Sequence, residues 1–159
     1  MLNVRIVCVG KIKDSFNKQG IDEYKKRLSR YIKLDIIEVD DAKIKENASP
    51  KEEEIVKKEE GIRILKQVKD NEYLILLYLH GKEIDSVEFS KIIDMTSIRF
   101  STITFVIGGS LGLSDAVIQR ANYRLCLSKM TFTHQMTRVI LLEQIYRSFK
   151  ILNNEVYHK

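Results

Sequence analysis

At 159 residues, with 44% apolar and 31% charged side chains and a single proline, the chain suits one domain with a real core and excludes disordered, collagenous and low-complexity classes. Its net charge of +5 is unevenly spread: residues 1–33 hold nine Lys or Arg against three acids, residues 34–100 eleven against sixteen, and residues 101–159 seven against three. Basic ends around an acidic middle hint at a polyanionic partner, although a charge run is also simply a solvated face, and no apolar run nears the roughly 20 residues of a membrane span.

The opening LNVRIVCVG lacks the basic start and cleavage site of a secretory leader, so the chain is expected to begin at or near Met1 and to stay cytoplasmic. Asn3 to Val9 predicts a first strand, closed by Gly10. Asp14 or Ser15 then caps a helix to about Tyr31, with Phe16, Ile21, Tyr24 and Leu28 at helical spacing. Leu34 to Val39 is a second strand, followed by an exposed polar stretch from Asp40 to Asn47. Ser49, Pro50 and Glu52 start a helix that runs to about Val68. Glu72 to Leu79 is almost continuously apolar, as a strand buried on both faces would be, and HGK is its exit loop. Ser86 caps the next helix. Thr102 to Ile107 is another buried strand, ended by GGSLGLS, whose Ser114 and Asp115 open a short helix. Tyr123 to Leu127 is the fifth strand. The loop SKMTFTHQ leads into a long helix from about Gln135 to Leu152, then the tail NNEVYHK.

Strands alternating with helices predict an α/β fold, a mostly parallel sheet covered by helices on both faces, with residues 1–159 as one domain. Ligands in such sheets bind at the carboxyl ends of strands. The first of those ends, GKIKDSF, carries neither a dinucleotide fingerprint nor a phosphate-loop lysine, which disfavours a flavodoxin-like or other nucleotide binder. Gly108, Gly109 and Gly112 let a backbone approach a ligand closely, or simply make a tight turn. His80, His134 and His158 lie on separate segments without metal-site spacing, so no metal is expected. Cys8 and Cys126 sit in apolar runs and read as buried, reduced thiols.

HGK after the third strand, IGGSLGLS after the fourth, LSKMTFTHQMTRVILLEQIYRSFKI after the fifth and NNEVYH near the end resemble the RlmH family of SPOUT-class methyltransferases. The likeness spans essentially the whole chain, including the VGK that closes the first strand. Each motif is weak alone; their order and spacing together are specific. The resemblance implies a homodimeric α/β trefoil knot that uses S-adenosylmethionine to methylate the imide nitrogen, N3, of a pseudouridine in 23S ribosomal RNA. It implies action on the assembled ribosome, with no DNA and no membrane involved. It also assigns Leu76, Leu77, Gly108, Leu127, Ser128, Lys129, Met130, Thr131 and Phe132 to the cofactor pocket.

The residues themselves are compatible with that assignment. Leu127, Met130 and Phe132 offer an apolar slot for adenine. Methyl transfer from a sulfonium needs alignment rather than a covalent nucleophile, but an imide nitrogen must lose its proton. His158 and Arg138 are the candidates for base and anion-stabilising cation, with Arg138 alternatively meeting RNA phosphate or a partner subunit. Tyr157 either stacks on a base or anchors the tail, Arg147 reads as a structural ion-pair residue, and His134 caps or packs in the cofactor loop. The last helix carries an apolar belt wider than one stripe, which suits a dimer interface or a helix covered by its own chain. A non-catalytic, ribosome-associated RNA-binding module with the same fold is the alternative, and it would need no open pocket beside Gly108 and Met130.

Overall fold

The computed structural model describes residues 1–159, all of the chain. In chain order the elements are β1 (Leu2–Val9), α1 (Ser15–Leu28), β2 (Ile32–Val39), α2 (Pro50–Leu65), β3 (Tyr73–Glu83), α3 (Ser86–Arg99), β4 (Thr102–Ile107), α4 (Asp115–Arg120), β5 (Tyr123–Cys126) and α5 (His134–Leu152). Local chemistry sets most of the helix starts. Asp14 accepts the backbone N–H of Asn17 at 2.7 Å, and Ser49 and Glu52 form a reciprocal capping box with Pro50 in the first turn. α3 is capped by Asp85 rather than Ser86: a carboxylate reaches the Glu88 N–H at 2.8 Å, which frees the Ser86 hydroxyl to donate to Gln144 at 2.6 Å. α1 and α2 end about one turn before the expected Tyr31 and Val68, because β2 already begins at Ile32 and the chain turns toward β3 after Leu65.

All five strands are parallel, in the order β2-β1-β4-β3-β5. One face packs side chains of α1, α3 and α5, including Ile21, Phe89, Ile93, Leu141 and Ile145, against Ile6, Ile75 and Phe105. The other packs Ile64 of α2 and Val117 of α4 against Val7, Leu74, Leu76 and Val106. Coverage on both faces explains why these strands read as continuous apolar runs. No helix is long and apolar enough to cross a membrane.

HGK is not an exit loop. β3 continues through it to Glu83, and both Leu77 and Lys82 stand opposite Leu125 of β5, so residues 78–81 are extruded from the ladder between them. The extrusion leaves Leu79 57% exposed at the carboxyl edge of the sheet. A second feature of that edge follows from strand order. The chain leaves β1 toward β2 on one side and leaves β4 toward β5 on the other, so a crevice opens between the carboxyl ends of the adjacent β1 and β4.

The opposite, amino-terminal edge is closed. Arg5 donates to both oxygens of the buried Glu72 at 2.9 and 3.0 Å and also to the Gln67 carbonyl, while Thr104 donates to Glu72 at 2.8 Å. Arg120 adds bonds to the carbonyls of Lys69 and Glu72 at 2.9 and 3.0 Å. These contacts tie β1, β3, β4 and α4 together away from the site.

Candidate active site

The carboxyl ends of β3, β4 and β5 enclose a cavity of about 540 Å³, within the range of small-molecule sites. Its walls are the extruded segment of β3, the glycine turn after β4, the loop from Leu127 to Phe132, and the first turn of α5. The glycine turn is tight: Gly112 donates to the Gly109 carbonyl at 3.1 Å and holds φ at 96°, a conformation L side chains resist. A Cβ at Gly108 would stand 2.7 Å from Leu113, so the turn leaves no room for a side chain there. The loop after β5 is set by its own bonds. The Cys126 thiol donates to the Ser128 carbonyl at 3.1 Å, and the Ser128 hydroxyl accepts the Met130 N–H at 3.0 Å. Met130 itself is 77% exposed at the mouth.

Leu77, Gly108, Leu127, Ser128, Met130, Thr131 and Phe132 all line this cavity. Leu76 and Lys129 do not. Strand alternation sends the Leu76 side chain to the opposite face, where it is fully buried beside Val7 and Val106. Lys129 points outward, 3.9 Å from Glu83. The sequence reading missed Tyr78, Leu79 and His80, which line the wall because of the extrusion, and Lys57 and Asp115, which nothing in their local pattern distinguishes from surface charge. Tyr78 and His80 meet edge to face with ring centres 5.4 Å apart. His134 opens α5 at the cavity wall; burial, reinforced by the Arg138 cation, holds its imidazole below the usual range, against a backbone contact at Gly108 that raises it. It is therefore neutral at neutral pH.

A family model described as a predicted SPOUT methyltransferase matches residues 2–158. A protein of Clostridium botulinum strain 657, "Ribosomal RNA large subunit methyltransferase H", is 60% identical over 99% of this chain and all of its own length. Proteins of the same name from Clostridium botulinum strain Alaska E43 and Clostridium perfringens strain 13 are each 57% identical over the same shares. The chain belongs to the RlmH family of SPOUT methyltransferases. Among solved structures, the SpoU methyltransferase AviRb from Streptomyces viridochromogenes is similar over 98% of this chain and 62% of its own, with 13% identity and a TM-score of 0.45.

In this SPOUT chain the remaining candidate residues stand apart from the cavity. Arg138 is 3% exposed; its guanidinium donates to Glu38 of β2 at 2.6 Å and to the Gly10 carbonyl after β1 at 2.8 Å. That burial fastens α5 to two strand ends, and the side chain borders the crevice between the carboxyl ends of β1 and β4. Arg147 is the structural ion-pair residue expected, bound to Glu143 at 2.6 Å. The tail packs back along α5. Glu155 accepts from Lys150 and from the Tyr31 hydroxyl, both at 2.7 Å, and these donors hold its carboxyl below the usual range. The Tyr157 ring lies edge-on to Tyr146 at 5.0 Å under the Arg147 guanidinium, and burial with Glu143 nearby pushes its phenol up to about 12. His158 Nδ1 is 3.1 Å from an Arg147 nitrogen. Tyr146 follows His134 by twelve residues, about 18 Å along the helix axis. Within one chain, the tail and the cavity do not meet.

Proposed function

We propose that this chain is an S-adenosylmethionine-dependent methyltransferase of large-subunit ribosomal RNA that modifies N3 of a pseudouridine in 23S rRNA. The relatives' shared name supports the RNA class, and the family resemblance supports the nucleotide, the cofactor and a homodimer of single-domain, trefoil-knotted chains working on the assembled ribosome in the cytoplasm. The observation that carries the reading is the cavity at the carboxyl ends of β3, β4 and β5. Its donor set fits the cofactor: apolar walls from Leu77, Leu127 and Phe132 suit an adenine ring, and the glycine turn and the loop after β5 offer main-chain polar atoms.

S-adenosylmethionine, when bound there, supplies a methyl group on a sulfonium. The protein's own residues must then orient the target nitrogen in line with that methyl group, exclude competing water, and take up the N3 proton. His158 is the proposed base and Tyr157 the proposed stacking surface. Because both lie remote from the cavity of their own chain, they act in the cavity of a second copy, with the tails released from or carried along with α5. Arg138 is a positioning residue in this scheme: through Glu38 and Gly10 it sets the angle at which α5 leaves the site. A purely RNA-binding module has no use for the open, mainly apolar cavity at Gly108 and Met130.

Transfer of labelled methyl groups to ribosomes that lack this modification, followed by mass mapping of the 23S rRNA, tests the reading. Label on N3 of a single pseudouridine is expected. Cofactor binding without transfer to any ribosomal RNA would overturn it.

A further inference from the structure

A second cavity, of about 560 Å³, opens on the other side of the glycine turn. It shares Gly109, Leu111 and His134 with the first, so the turn is a common wall between the two. It occupies the crevice between the carboxyl ends of β1 and β4, where strand order reverses and ligands of open α/β sheets bind. Lys11 and Lys13 after β1 and Lys43 after β2 line it, which suits the phosphates of a nucleic acid strand.

Its wall also holds a carboxylate the proposed chemistry has not used. Glu60 of α2 is 5% exposed. Its Oε2 accepts the backbone N–H of Ala42 at 3.0 Å, whereas Oε1 accepts no hydrogen bond from the chain. A Cβ at Gly109 would stand 2.8 Å from that Oε1, so a glycine at this position lets the carboxylate lie against the turn. Burial pushes the carboxyl above its usual range, with Asp41 and Glu59 adding to the shift and the Ala42 N–H and Arg63 opposing it. Oε1 thus stands at the cavity wall as an acceptor open to a ligand's N–H.

The geometry points to the second cavity as the seat of the target nucleotide, with Glu60 Oε1 accepting the N1–H of the pseudouridine base. This rests on the reaction proposed above. If the methyl group goes to N3, that nitrogen must face the first cavity, and the ring N–H left for a fixed acceptor is N1–H. Uridine has none, because its N1 carries the sugar. Glu60 is thereby the residue that distinguishes pseudouridine from uridine, and the lysines bind either strand alike.

The test uses the full-length protein with S-adenosylmethionine and unmethylated ribosomes carrying pseudouridine, uridine or 1-methylpseudouridine at the target. Wild-type protein is expected to methylate the pseudouridine ribosomes about ten- to a hundredfold faster than either of the others, the worth of one hydrogen bond to a charged group. Glu60→Gln keeps an acceptor for Ala42 and turns the free position into a donor. It is expected to lower the pseudouridine rate to the uridine rate, with the calorimetric cofactor affinity unchanged and the melting temperature no lower than that of the wild type. A variant that retains the wild-type preference, or that loses both rates equally, overturns the assignment. So does rapid methylation of 1-methylpseudouridine by the wild type, an arm that decides the matter even where the variant folds poorly. Wild-type protein that binds cofactor yet methylates none of the three ribosomes removes the reaction itself, a separate failure.

Discussion

Glu72 and Glu60 are equally buried, each 5% exposed, at opposite edges of the same sheet. Glu72 is matched by Arg5 on both oxygens and by Thr104 on one, while Glu60 has a single backbone donor. The contrast separates two uses of a buried charge. A carboxylate whose partners all come from its own chain fastens strands; one with an oxygen left over is poised for something that arrives later.

Breaking the matched side has the largest expected effect. Glu72→Ala strands the Arg5 guanidinium and is expected to cost about 3 kcal/mol, lowering the melting temperature by roughly 10 °C, with methyl transfer by the folded fraction unchanged. Calorimetric unfolding checks it, and a stable variant would show that the Arg5 cluster is ornamental. Deleting Asn154 to Lys159 is expected to reduce methyl transfer about a hundredfold, the scale of a lost proton acceptor, with cofactor affinity held within about twofold. Full activity of the shortened chain would take Tyr157 and His158 out of the mechanism. Gly108→Val is smaller again. The added side chain meets Leu113 and drives it toward the first cavity, so cofactor binding by titration calorimetry is expected to weaken about tenfold, a loss of roughly 1.4 kcal/mol, without loss of the sheet.

The smallest effect sharpens the comparison through pH. Glu60 has a raised carboxyl in the folded chain, so the native state holds its proton more tightly than the unfolded state does, and stability falls as pH rises through that window. Glutamine does not titrate. The stability of Glu60→Gln relative to wild type is therefore expected to climb as pH rises above the ordinary glutamate value and to level off once the folded-state carboxyl has ionised, as followed by melting temperature in the absence of RNA. A constant gap at every pH would mean that burial does not penalise the charge.

Strand order and partner choice were invisible in the sequence, whereas the elements were not. Apolar runs such as Thr102 to Ile107 are long enough to announce a buried strand, and Ser49-Pro50 with Glu52 announces a helix start, because both signals are local. The extrusion in β3 was missed since Tyr78 and Leu79 continue the apolar run of the strand and HGK then reads as a loop; only the register against Leu125 reveals it. The pairing of Arg138 with Glu38 was not legible, because its carboxylate partner lies a hundred residues away in sequence. Glu60 escaped notice likewise, sitting in a run of acids and lysines with no sign that this one faces inward. The loop from Leu127 to Phe132 along the first cavity was legible because its residues are contiguous. The second cavity was not, because it is assembled from five separate segments.

One consequence of the strand order concerns synthesis rather than catalysis. β1 emerges first but pairs on its inner edge with β4, so Asn3 must wait for Thr102 before that ladder can close. During translation the chain carries an unsatisfied, Val- and Ile-rich edge for about a hundred residues of growth, a slow, non-local closure of the kind that exposes nascent chains to misassociation. Polypeptides halted before Ile107 should accordingly depend on chaperones far more than the finished protein does.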